Sequence, residues 1–87
     1  MYKVIIKKSA LKGIDKMPKI AQLAMGNLVN DLKEFGPILK HWANFSKLGK
    51  NKYHCHLTYK WVACWEFYED SILIEVYYAG SRENAPY

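Results

Sequence analysis

Arginine is nearly missing from this chain: Arg82 is the only one, against twelve lysines. A protein that carries its positive charge almost wholly as flexible ammonium groups has kept one planar, permanently charged fork, which singles out position 82. Cysteine is scarce as well. Cys55 and Cys64 are too few for a disulfide framework, and no leader-like apolar stretch precedes them, so a reducing, cytoplasmic setting is expected. No apolar run approaches the length of a membrane span, so no membrane partner is expected. Internal repeats, linkers and low-complexity tracts are also absent.

The chain has 87 residues, about half of them hydrophobic. That is enough for one core, and a single domain over residues 1–87 is expected. The net charge of +5 is unevenly spread. Residues 1–60 hold twelve lysines against Asp15, Asp31 and Glu34, a net of +9. Residues 61–87 hold Arg82 against five carboxylates, a net of −4. Clustered lysines suit a polyanion or an acidic protein, because they release counterions from phosphates and steer encounter. Lysines kept only for solubility are the plain alternative.

Residues 2–7 are β-branched and aromatic and read as a strand. Ser9 can cap a short helix from Ala10 to about Lys16, which must end before Pro18. A longer helix follows, with Ile20, Leu23, Ala24, Leu28, Leu32 and Phe35 forming its predicted core stripe, and Gly36-Pro37 stops it. Residues 36–51 show no period and read as an exposed, partly anchored connection carrying Lys40, His41, Trp42, Lys47 and Lys50. Three strands are predicted after it, Lys52–Thr58, Lys60–Tyr68 and Ser71–Ala79, joined tightly and therefore antiparallel. The expected fold is α+β, in the order β-α-α-β-β-β, with two helices on one face of a mainly antiparallel four-stranded sheet.

Strand alternation places Tyr53, Cys55 and Leu57 towards the core and His54, His56 and Thr58 towards the opposite, open surface. That separation removes Cys55 from any shared metal site, and two histidines without a third ligand do not make a zinc centre. Neither a metal nor another cofactor is expected. Two imidazoles can instead move protons near neutral pH, although surface histidines in a polar strand are common. Arg82 follows the small residues Gly80-Ser81, which let the backbone turn and bring the guanidinium back over the sheet. Its alternative is a surface ion pair with Glu83 or Glu69. The segment Trp61–Tyr68 is apolar on both faces and reads as the central strand, with Cys64 a buried small hydrophobe.

The segments Trp42–Leu48, Tyr53-His54-Cys55-His56-Leu57, Trp61–Trp65 and Ile74–Tyr87, the last with its Gly-x-Arg-Glu ending, resemble the RelE/ParE superfamily of bacterial toxins from toxin-antitoxin systems. The resemblance extends over nearly the whole chain. It implies an endoribonuclease that cuts messenger RNA on the ribosome by metal-independent attack of a ribose 2′-hydroxyl on the adjacent phosphodiester. In that family two lysines stand where His54 and His56 fall here, and other members use histidine on this strand. The family's loop arginine matches Arg82 and its C-terminal aromatic matches Tyr87. Its middle-strand arginine falls at Val62, so this chain lacks that phosphate contact unless Lys60 supplies it. The expected catalytic set is His54, His56, Arg82 and Tyr87, with His56 as base and His54 as acid or the reverse. Lys47, Lys50, Lys52 and Lys60 are expected to bind RNA phosphates. The implied partners are a cognate antitoxin, messenger RNA and the ribosome, with no small-molecule ligand. Two other readings share the sequence: a ParE-like inhibitor of DNA gyrase, and an RNA-binding module without catalysis.

Overall fold

A computed structural model describes residues 1–87 as two helices packed on one face of a five-stranded sheet. The elements are β1 (Lys3–Ile6), α1 (Lys8–Asp15), α2 (Lys19–Phe35), β2 (Ser46–Gly49), β3 (Lys52–His56), β4 (Trp61–Phe67) and β5 (Leu73–Ser81). The sheet order is β1-β5-β4-β3-β2, with β1 parallel to β5 and every other pair antiparallel. The sheet therefore has one strand more than the four expected. The additional strand, β2, lies in the aperiodic 36–51 segment and pairs Ser46 with His54 and Lys47 with Tyr53. β4 is central, as its two apolar faces require.

Two local expectations are corrected. Ser9 does not cap α1: the Leu11 amide already bonds the Lys7 carbonyl, so the helix begins at Lys8 and Lys7 is its N-cap without a side-chain bond. The buried stripe of α2 is Ala21, Met25, Leu28 and Leu32, whereas Ile20, Leu23 and Phe35 are exposed. One residue is about 100° of helix rotation, so the first half of the core face is turned by one position from the predicted one. Fully buried Ala21 brings that half of the helix close to its neighbours, a fit that bulkier Ile20 would prevent.

Gly36 ends α2 at φ 90, where its amide bonds the Leu32 carbonyl. A Cβ there would lie 2.8 Å from the Tyr2 ring, so both conformation and space demand glycine. Gly13 is needed for space alone, since α1 runs against the Ala79 carbonyl of β5.

The core lies between the helices and the sheet and is centred on Trp65, with Leu28, Leu32, Leu39, Ile74 and Val76 around it, all within 1% of complete burial. Trp65 Nε1 donates to the Pro37 carbonyl at 3.0 Å, so even its one polar atom is satisfied. Phe45 stacks on Tyr53 at 5.7 Å and anchors the segment entering β2. No helix is long and apolar enough to cross a membrane.

Candidate active site

The core side of β3 is Tyr53 and Cys55, and alternation turns His54 and His56 to the other face of the sheet. Cross-strand register places His54 beside Cys64 and His56 beside Val62, whose own neighbour on β5 is Gly80. Arg82 lies two residues past Gly80, on the same side by alternation, and its amide bonds the Lys60 carbonyl at 2.8 Å. The Ala85 amide then bonds the Arg82 carbonyl, a turn that sends the chain back over the sheet and lays Tyr87 edge-on against His54, ring centroids 4.3 Å apart. The two imidazoles are 5.8 Å apart at 74°. Residues remote in sequence therefore meet on one face.

The meeting differs from the expectation in one respect. His54 does not lie at an open surface: Tyr87 covers it and leaves it 7% exposed, while Tyr87 itself is 54% exposed. Burial lowers the His54 pKa, opposed by a hydrogen bond that the protonated ring makes to the Ser46 backbone. His56 is half-buried, and its pKa is lowered by burial and then by the charges of His54 and Arg82. Burial thus favours the neutral form of both rings. Burial raises the Tyr87 hydroxyl above its ordinary value.

Arg82 forms no ion pair with Glu83 or Glu69, since the one salt bridge in the protein joins His41 to Asp31. The guanidinium lies 4.5 Å over the Tyr59 ring, which orients it while leaving its N–H fork unpaired. Of the four lysines expected here, two are near. Lys52 shares the histidine face of β3 and lies 5.8 Å over the Tyr77 ring, and Lys60 lines a hollow of about 220 Å³ with Arg82 and Tyr59. Lys47 alternates with Ser46 and faces away from the histidines, and Lys50 occupies the β2–β3 turn. Cys55 and Cys64 are buried thiols pushed up to about 12, too high for nucleophiles.

Three side chains that sequence reasoning missed hold this site in shape. Ser46 Oγ lies 2.9 Å from His54 Nδ1, the Asn44 carboxamide lies 3.2 Å from His56 Nδ1, and Tyr59 supports Arg82. Asn44 reaches its imidazole from a left-handed backbone, φ 54, that few residues other than glycine and asparagine adopt readily. Its residue type was the only signal. Each histidine thus has Nδ1 engaged from the β2 side, leaving Nε2 as the nitrogen free for chemistry. The set comprises two imidazoles of unequal burial, a guanidinium with free donors and an aromatic ring, which suits proton transfer at a phosphodiester.

No protein-family model matches the sequence, and no curated protein is similar to it. The backbone has close counterparts among solved structures. RelE in the archaeal RelE-RelB complex from Pyrococcus horikoshii OT3 is 17% identical with a TM-score of 0.76, the match covering 97% of this chain and 98% of that one. The isolated E. coli RelE toxin is 14% identical with a TM-score of 0.75, covering 99% and 89%. YoeB from its Staphylococcus aureus dimer is 10% identical with a TM-score of 0.72, covering 91% and 94%. From end to end, this chain has the α+β fold of the RelE and YoeB toxins.

Proposed function

We propose that the protein is the toxin of a toxin-antitoxin system, a ribosome-associated endoribonuclease that cleaves messenger RNA. The observation that carries this reading is the convergence of His54, His56, Arg82 and Tyr87 on the sheet face away from the helices. The RelE-type fold supports it, and the P. horikoshii toxin was solved with its RelB partner, the kind of partner proposed for this chain.

In the proposed reaction the ribose O2′ loses its proton and attacks the adjacent phosphorus. The P–O5′ bond breaks, the 5′-oxygen takes a proton, and a 2′,3′-cyclic phosphate remains. The unequal burial of the two rings supports one division of roles over its reverse. His54, sealed under Tyr87 and held neutral, is the base through Nε2, and Tyr87 moves aside to stack on a nucleobase as RNA enters. His56, more open to water, exchanges protons with solvent and serves as the acid at O5′ in its protonated fraction. Rotation of the Asn44 carboxamide exchanges its N–H for its carbonyl oxygen at Nδ1, so that it supports either protonation state. Arg82 holds the phosphorane oxygens with its free fork, and Lys52 and Lys60 bind flanking phosphates as point charges.

The test is expression of the toxin with messenger RNA integrity and growth as readouts. The parent arrests growth and fragments messenger RNA, and His56→Ala with Arg82→Ala abolishes both. Intact cleavage in that double variant would remove the assignment. DNA breaks with intact messenger RNA would favour gyrase inhibition instead.

A further inference from the structure

Beside the catalytic face, the connection at residues 41–43 and the exposed side of α2 border an open cleft of about 600 Å³, and His56 is among its lining residues. That volume lies within the range of sites for small organic groups. Asn27, Asn30 and Asp31 line it from α2, and their spacing puts them on one helical face. His41 and Trp42 form the aromatic side.

The chemistry of the lining is selective. No lysine or arginine borders the cleft, and Asp31 repels anions, so a phosphate is excluded. The side chains of Asn27 and Asn30 make no hydrogen bond within the protein, which leaves two carboxamides offering both donors and acceptors. Asp31 is already fixed in place: its Oδ2 accepts from Trp42 Nε1 at 2.8 Å and faces His41 Nε2 at 3.2 Å. Its Oδ1 makes no hydrogen bond within the protein and remains an acceptor on a residue that lines the cleft. The fitting group is uncharged, planar and bears N–H donors. The two carboxamides can pair with any base edge, but the acceptor-only carboxylate of Asp31 favours the exocyclic amino groups of adenine, cytosine and guanine, whereas the base-edge N–H of uracil lies between two carbonyl oxygens that a carboxylate repels.

We infer that this cleft receives the nucleobase of the nucleotide next to the scissile phosphate and favours amino-bearing bases over uracil. The inference rests on the nuclease reading for its place in the reaction, since His56 belongs to both surfaces. It gives this site what the catalytic face lacks, a means of choosing where to cut: arginine and lysines hold phosphates common to every sequence, and only contacts to base edges discriminate.

Titration with adenosine, cytidine, guanosine and uridine 5′-monophosphates tests it, followed through the side-chain amide resonances of Asn27 and Asn30. At least one amino-bearing nucleotide moves both amides with affinity at least about fivefold above that of the uridine nucleotide, the lower end of what a good base contact supplies. Asn27→Ala with Asn30→Ala removes the difference. No shift at millimolar nucleotide, or equal shifts with uridine, overturns the inference. In parallel, cleavage by the parent of a ribosome-bound messenger pool with randomised codons disfavours uridine at one position flanking the cut, and the double variant evens that position. A parent that cuts with no such bias, or a variant with an unchanged bias, overturns the inference and leaves the nuclease standing. A parent that cuts nothing overturns the nuclease reading, and the titration then decides the cleft alone. A silent titration combined with loss of antitoxin neutralisation in the variant makes this a protein-docking site, and the inference falls.

Discussion

The two faces of the sheet follow different rules. Under the helices, Trp65, Ile74, Val76 and Cys55 are excluded from water, and the one polar atom of Trp65 has its partner. On the other face, His54, His56 and Arg82 keep polar atoms unpaired while Ser46, Asn44 and Tyr59 hold them in orientation. The first face stores stability and the second stores readiness for a ligand, so substitutions on the two should separate folding from activity.

Trp65→Ala should produce the largest loss, about 3–5 kcal/mol of stability, because it opens a cavity at the centre of the core and orphans the Pro37 carbonyl. Chemical denaturation reads it, and activity should follow the folded fraction. Across the sheet, His56→Ala, at the less buried of the two rings, should reduce RNA cleavage by about 10²–10⁴-fold while the denaturation midpoint moves little, the converse pattern. Gly36→Ala has an intermediate effect, on the order of 1–3 kcal/mol, from a positive φ and the Tyr2 ring, and it leaves the turnover of folded protein unchanged.

Subtler effects come from protonation. Because both histidine pKa values lie below the ordinary 6.5, kcat/KM should trace a bell with its maximum on the acid side of about 6.5. Asn44→Ala should shift the limb belonging to His56 and cost on the order of tenfold in rate, a loss spread equally over all pH values being the mark of a merely structural role. The same lowered values make a small stability prediction. The unfolded chain binds protons at its histidines before the folded one does, so their stabilisation is complete above about pH 6.5 and declines as pH falls through the folded values. His54→Gln should flatten that decline between pH 7 and 5, as followed by the denaturation midpoint.

The dry face was the more legible in the sequence. β4 announces its central place because both its faces are apolar, and the β3 alternation correctly sorts Tyr53 and Cys55 from His54 and His56. The α2 stripe was misread because two overlapping apolar rows satisfy the helical period, and tertiary fit selects the one with small Ala21 and flexible Met25. β2 could not be read, since Ser46–Gly49 is short, polar and at an edge, with no period of its own. The supports of the site were hidden for a related reason. Asn44 lies twelve residues from His56, and Tyr59 meets Arg82 only once β3, β4 and β5 have paired, so no local pattern marks them. The cover of Tyr87 over His54 likewise depends on the turn at Arg82–Ala85.

In the proposed reaction the histidine face directs a ribose hydroxyl against its own phosphodiester. The test is to incubate the protein with messenger RNA on the ribosome, with and without a 2′-O-methyl group at the scissile nucleotide, and to identify the new ends by mass spectrometry. The account predicts 2′,3′-cyclic phosphate or the 3′-phosphate derived from it, paired with a 5′-hydroxyl, and no cut at the methylated position. Cleavage through the methylated nucleotide, or fragments ending in 3′-hydroxyl and 5′-phosphate, would contradict it.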